Sequence, residues 1–295
     1  MQFSALLLAL FSSSALCAPL TTRASTPSRA LWLWDSDIIQ DNNALSTFLS
    51  DVTNKDYAIS RVHALVDRDM GNAAWINFVS KCNASGIAVE GLMGDAQWIK
   101  GKTTADAPTL DHSLNWIQQY QNSAPANAKF SGIHLDVEPW GLDDWASKKA
   151  TYVSSLLTIV DKVKTQAKSL DLPVAADLPF WANTVSCEGS TLDVCMLNHL
   201  DTTTFMTYRN TPTELLAVAK PLLTSASSKN AGKPVWLSIE TSPDCADAEL
   251  ISYAGKSVST LMSDLKKIES AATKLGGFAG ISIHSYKEFK ALTGS

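Results

Sequence analysis

The sequence has no run of lysines and arginines, and its balance is acidic: 24 Lys and Arg against 29 Asp and Glu leave a formal charge of −5. This argues against a nucleic-acid partner, since no basic patch exists to release counterions from a phosphate backbone. Beyond the N-terminus no apolar stretch is long enough to cross a bilayer, so no membrane partner is expected either. Several catalytic signatures are also missing. No C-x-x-C spacing occurs among the five cysteines, no G-x-G-x-x-G follows the first apolar run, and no G-x-S-x-G marks a nucleophilic serine. What is present is a chain of 295 residues that is 45% hydrophobic and 18% charged, which fits a packed domain rather than extended disorder.

The first residues carry an apolar run from Ala5 to Phe11 and then small residues to Ala18. Ala15 and Cys17 suit the −3 and −1 positions of a signal-peptidase site, so residues 1–17 read as a cleaved secretory signal. Residues 18–29, rich in Ser, Thr and Pro, read as a flexible lead-in to a single domain over 30–295. The expected product is secreted and extracellular. In that oxidising compartment Cys187 and Cys195 bracket a short loop and are the first pair to expect. Cys82 lies at helical spacing with Trp75, Phe78 and Val79, and either pairs with Cys245 or is a buried thiol. Asn83-Ala84-Ser85 is a glycosylation sequon consistent with export.

Short β-branched runs recur at Leu31–Asp35, Ser60–Asp67, Ile87–Gly94, Gly132–Glu138, Pro173–Leu178, Thr203–Tyr208, Pro234–Glu240 and Ala279–His284. Amphipathic stretches lie between them, including Ala44–Val52, Leu110–Tyr120, Lys148–Ser169, Glu214–Leu223 and Val258–Leu275. Strands alternating with helices, apolar on both faces, indicate parallel βαβ units. Eight such units in roughly 265 residues match a single-domain (β/α)8 barrel, an α/β fold of the TIM type. An open doubly wound sheet is the competing plan, and it lacks the glycine-rich turn that such sheets use.

Barrel chemistry sits at the carboxyl ends of the strands. Here those ends carry Asp35, Asp67-Arg68-Asp69, Asp95, Asp136, Glu138, Asp177, Tyr208-Arg209, Glu240 and His284. The most informative segment is His134-Leu135-Asp136-Val137-Glu138-Pro139-Trp140. On a strand His134, Asp136 and Glu138 share one face, and the alternating Ile133, Leu135 and Val137 take the other. Two inward carboxyls two residues apart hold one proton between them and titrate as a unit. That supplies the protonated carboxyl that glycosidic cleavage needs.

This segment resembles the catalytic strand of the family 18 chitinase-like glycosidases, D-G-x-D-x-D-x-E, with Glu138 at the acid position and Asp136 at that of its partner. Phe205-Met206-Thr207-Tyr208 is similar to the same family's M-x-Y motif on strand six. The resemblance implies a TIM barrel that cleaves N-acetylhexosamine linkages with the substrate's own acetamido group, supported by Asp136 and Tyr208. Ser131 and His134 stand where the family has its first two aspartates, Arg209 stands in place of the acid after the tyrosine, and His284-Ser285-Tyr286 lacks the usual tryptophan. The chain also resembles clan A retaining glycosidases. They place one glutamate at the end of strand four, often before proline, and a second at the end of strand seven. Glu138-Pro139 and Glu240 match those positions, which implies Glu138 as acid/base and Glu240 as nucleophile or base. Of the two mechanisms, the presence of Glu240 at a strand end favours the two-carboxylate one.

Tryptophans suit stacking on sugar rings, and Trp98, Trp140 and Trp181, just beyond strands, are subsite candidates. Arg209 is expected to face Glu240 or a substrate carboxylate. His134, His284, Asp35 and Asp177 complete the candidate substrate contacts. His63, His134 and His284 with Asp136 and Glu138 form a conceivable metal set. Barrel metallohydrolases usually begin with H-x-H on strand one, and this chain has Trp32-Leu33-Trp34-Asp35 there. The reading is therefore secreted, metal-free and cofactor-free hydrolysis of a polysaccharide or oligosaccharide. A non-catalytic carbohydrate-binding barrel and a metal-dependent hydrolase are the alternatives.

Overall fold

The computed structural model describes residues 28–101, 109–229 and 233–294. Eight strands form a closed barrel in which every neighbouring pair is parallel: β1 (Ser28–Leu33), β2 (Ile59–Leu65), β3 (Ala88–Met93), β4 (Gly132–Leu135), β5 (Val174–Pro179), β6 (Thr202–Met206), β7 (Val235–Glu240) and β8 (Phe278–His284). Their order around the barrel follows the chain, and β8 closes against β1. Helices connect successive strands on the outside, and the expected helix at Val258–Leu275 has those bounds. Side-chain caps set the starts of several. Asp41 accepts from the amides of Asn43 and Ala44 ahead of Asn42–Val52, Thr109 caps Leu110–Ser123, and Ser257 caps Val258–Leu275. None of the described helices is long and apolar enough to cross a membrane.

Strand parity decides what lies inside. Leu31, Leu33, Val62, Val89, Ile133, Leu135, Val174, Leu237 and Ile283 point outward and form one core with the helices. The alternate positions line the barrel and are polar or aromatic, among them Trp32, His63, Glu90, His134, Asp177, Ser238, Glu240 and Ser282. The apolar core thus lies between strands and helices, which leaves the inner channel free to carry charge.

Two features depart from the sequence expectation, and one expectation lies where no comparison is made. The signal segment 1–17 and residues 18–27 of the lead-in lie outside the described residues. Ser28 and Arg29, placed in the lead-in, instead open β1. Arg29 is buried and gives a bidentate pair to Glu269, 2.7 Å from Nε to Oε1 and 3.1 Å from Nη2 to Oε2. Strand β4 was expected to run to Glu138, and its ladder stops at Leu135, the last residue paired with β5. Pro139 has no amide to donate and opens a 3-10 turn over Pro139–Gly141, so Asp136 and Glu138 stand above the ladder. Cys187 and Cys195 form the expected disulfide, next to a two-stranded ribbon of Ser186–Cys187 and Ser190–Thr191. Cys82 and Cys245 are both free, and burial pushes the Cys82 thiol up to about 12.

Gly94 ties the fold to the barrel mouth. A Cβ there would lie 1.8 Å from the backbone oxygen of Asp136, so any other residue must push the end of β4 away. Gly94→Ala is expected to lower the urea unfolding free energy by about 2 kcal/mol or more. An unchanged unfolding midpoint would show that the two segments separate at no cost.

Candidate active site

The carboxyl ends of β4 to β8 bring together Asp136, Glu138, Asp177, Tyr208, Glu240 and His284. Asp136 and Glu138 lie within hydrogen-bonding reach of each other. Trp140 donates its indole N–H to Glu138 Oε2 at 2.6 Å, which fixes the carboxyl at the edge of the cleft. Burial pushes the Asp136 carboxyl well above its ordinary range, and the charges of Asp177 and Glu138 push it further. Burial also raises Glu138, against the lowering effect of the Trp140 hydrogen bond. Both carboxyls are thus shifted toward the protonated form, Asp136 the more strongly.

Glu240 is built differently. It is 4% exposed, and its Oε1 accepts from the amides of Thr241 and Ser242, both at 2.8 Å. Its Oε2 meets His284 Nδ1 at 2.9 Å. Trp34 donates its indole N–H to His284 Nε2 at 2.9 Å, so in this arrangement the imidazole carries its proton on Nδ1 and gives it to Glu240. Both oxygens of Glu240 therefore have donors. The Tyr208 ring lies 6.0 Å from that of His284. Burial, followed by the charges of Glu240, Asp177 and Asp136, holds the Tyr208 phenol well above its ordinary value, so it stays a donor.

His134 is fully buried and Asp177 is 2% exposed. His134 Nδ1 meets Glu90 Oε2 at 3.0 Å, and its Nε2 lies 3.0 Å from Asp177 Oδ1, out of line for a hydrogen bond. Glu90 also receives His63 Nδ1 at 2.9 Å and pairs with Arg61. Trp32 packs edge-on or tilted against His63, His134 and His284. The sequence reading passed over Glu90, although an acid in mid-strand on the inward parity, two residues before Leu92, is the signal that marks it.

His63, Glu90 and His134 offer donor atoms within 4.8 Å of one another, the spacing of a metal cluster. They fit an ion poorly. Both Nδ1 atoms and Oε2 already face each other, and the Arg61 guanidinium holds the other Glu90 oxygen where a cation would be repelled. His284, the third histidine of the conceivable metal set, is held apart by Glu240 and Trp34.

Other expected contacts fall elsewhere. Asp35 is exposed and accepts from the Asp37 amide, closing the turn before a helix. Trp98, at 7% exposure, packs into the outer core rather than the cleft. Trp140 and Trp181 are half-buried with ring centres 6.0 Å apart and, with buried Trp145, form an aromatic wall beside Glu138. Arg209 was expected to face Glu240 or a substrate carboxylate, and it does not pair with Glu240. It stacks instead over Phe180, 4.6 Å from the ring centre, and donates to the Tyr208 carbonyl, with no ion pair among the described residues. A flat guanidinium has a partner in the aromatic face that Phe180 supplies at the end of β5. His134 and Asp177, expected to touch substrate, are both buried inside the barrel.

No protein-family model matches this sequence, and no curated protein matches it. Solved structures share the barrel. A chitinase from Chromobacterium violaceum superposes with a TM-score of 0.52 at 10% identity, covering 89% of this chain and 95% of that one. The spore cortex-lytic enzyme SleL of Bacillus cereus gives 0.55 at 12% identity, over 89% and 71%. A xylanase and α-amylase inhibitor protein, solved with trehalose, gives 0.51 at 12% identity, over 92% and 96%. The likeness is one of fold, and both enzymes and an inhibitor share it. The chain is a (β/α)8 barrel. Its chemistry has to be argued from its own residues.

A carboxyl raised by folding favours the protonated form, so its own contribution to stability is fully present at low pH and is lost as pH rises through the raised value. Asp136→Asn removes that dependence. Its melting temperature is expected to gain on the wild type between about pH 5 and about pH 8. A difference that does not change with pH would contradict the shift assigned to Asp136.

Proposed function

We propose that this protein is a glycoside hydrolase whose general acid is Glu138. The observation that carries the reading is the Asp136–Glu138 pair, two carboxyls raised by burial, one of them held by the Trp140 indole beside the Trp140, Trp145 and Trp181 rings. The chitinase and SleL barrels support it at the level of fold.

The disposition of Glu240 favours substrate assistance over a protein nucleophile. A carboxylate attacking the anomeric carbon needs a lone pair aimed at it, and three of the roughly four acceptor sites of Glu240 are taken by two backbone amides and His284. A 2-acetamido group can take that part. Its carbonyl oxygen bonds to the anomeric carbon while the glycosidic C–O bond breaks, and Glu138 gives its proton to the leaving oxygen. Asp136 then faces the acetamido N–H, and the protonated Tyr208 phenol donates to the carbonyl oxygen. In the second half, Glu138 takes a proton from the water that opens the cyclic intermediate and is ready again. Trp140 and Trp181 would stack on the sugar rings. The substrate class is an N-acetylhexosamine polysaccharide or oligosaccharide, encountered outside the cell.

The test is hydrolysis of a glycan array by three proteins. Wild type is expected to cleave N-acetylated chains and to leave their de-N-acetylated counterparts intact. Glu138→Gln is expected to lose about 100- to 10,000-fold in rate, and Glu240→Gln considerably less. Equal losses in the two variants, with cleavage of chains that lack acetamido groups, would give Glu240 the nucleophile's role. Binding without turnover in all three would leave a carbohydrate-binding barrel.

A further inference from the structure

Asp136, Glu138, Asp177 and Glu240 gather at the carboxyl ends of β4, β5 and β7, yet two cations on the adjoining loops pair with none of them. Arg209 follows Tyr208 just beyond β6. Its guanidinium lies 4.6 Å from the centre of the Phe180 ring, and Nη1 donates to the Tyr208 carbonyl at 2.6 Å. Lys256 reaches the next residue along the chain. Its ammonium donates to the Asn210 carbonyl and lies 4.8 Å from the centre of the Tyr253 ring. Tyr253 gives its amide to the Glu240 carbonyl at 2.9 Å, which ties this loop to the end of β7. Glu214, the next acid after Arg209 in the chain, is taken by the Thr211 hydroxyl at 2.7 Å. Among the described residues neither cation has a carboxylate partner.

Arg209 is also held in place. A guanidinium carries five N–H donors, and the protein uses one of them here. The ring contact and the carbonyl bond fix its plane, so the remaining donors are ordered before any ligand arrives. A fork of that kind matches a planar acceptor with two oxygens. Its place in the cleft follows from its neighbours. Phe180 precedes Trp181, whose ring lies 6.0 Å from that of Trp140, and Trp140 bonds Glu138. Arg209 therefore continues the edge of the cleft that the tryptophans form.

We propose that Arg209, assisted by Lys256, is a specificity-determining residue that receives a carboxylate carried by the sugar chain, so that the preferred substrate is an acidic N-acetylhexosamine polymer rather than a neutral one. This rests on the reading of the protein as a glycoside hydrolase. A neutral chain leaves the ordered fork unused. An acidic chain enters a mouth lined with acids, and the two cations offset that repulsion on the β6 and β7 side.

Calorimetric titration of Glu138→Gln reads binding without turnover. The probes are hexasaccharides of three kinds. One is neutral, built of N-acetylglucosamine alone. One is hyaluronan, whose carboxylate belongs to a uronic acid. One is a bacterial glycan strand, whose carboxylate belongs to the lactyl ether of N-acetylmuramic acid. At low salt one of the acidic probes is expected to bind about 10-fold or more tighter than the neutral one, and its identity tells the ring carboxylate from the ether carboxylate. Arg209→Met keeps an apolar chain over Phe180 and removes the fork, and should bring that ratio close to one. Arg209→Lys keeps the charge without the fork and should retain part of it. Raising the salt from about 50 mM to about 500 mM should also shrink the preference, a readout that needs no variant of Arg209 to fold. In turnover, Arg209→Met should change the ratio of KM values between acidic and neutral chains. The inference is overturned if the neutral probe binds as tightly as both acidic ones, if Arg209→Met weakens all three alike, or if no probe binds. The Glu138 reading is judged separately, on whichever chain the wild type cleaves. Turnover lost in Glu138→Gln upholds it even where no acidic preference is found, and undiminished turnover overturns it whatever the preference.

Discussion

The structure depends on how negative charge is held inside a closed barrel. Glu90, Asp136, Glu138, Asp177 and Glu240 all point inward, and among the described residues the guanidinium that pairs with one of them is that of Arg61. Unpaired, such a cluster would cost more than a domain's marginal stability permits. Each carboxyl has its own solution. Glu90 is surrounded by Arg61 and two imidazoles and Glu240 by two amides and His284, while Asp136 and Glu138 are shifted toward the protonated form. Asp177 has the weakest arrangement, a single imidazole out of line.

This division follows from strand geometry. Because alternate residues face opposite ways, β4 can put Ile133 and Leu135 into the outer core and His134 and Asp136 into the channel. The outer core supplies the stability, which leaves the channel free to hold groups in states that water would not favour. Gly94 lets β3 and β4 approach at the mouth, and Pro139 ends the β4 ladder early enough for Glu138 to stand in the cleft. Trp32 fills the space among three histidines and excludes the water that would otherwise weaken the pairings.

Much of this was legible in the sequence. The eight strands fell within a few residues of their places, since parallel strands buried on both faces leave unbroken β-branched runs. The inward parity of His134, Asp136 and Glu138 followed from alternation alone. The misses share a cause. Asp35, Trp98 and Arg209 lie beyond the ends of β1, β3 and β6, in loops where local geometry rather than alternation decides direction. The sequence could not show that Phe180 would offer its face to Arg209, or that two backbone amides would occupy Glu240. Glu90 was within reach of the parity argument and was overlooked because it lies in mid-strand, away from the rim.

The central claim is that one proton is shared by Asp136 and Glu138 while Glu240 is held as a carboxylate. Neutron diffraction from a deuterated crystal at neutral pH would locate that proton directly. The account predicts one deuteron between the Asp136 and Glu138 carboxyls, one on Nδ1 of His284 directed at Glu240, and none on Glu240 itself. Two bare carboxylates at Asp136 and Glu138, or a deuteron on Glu240, would contradict it.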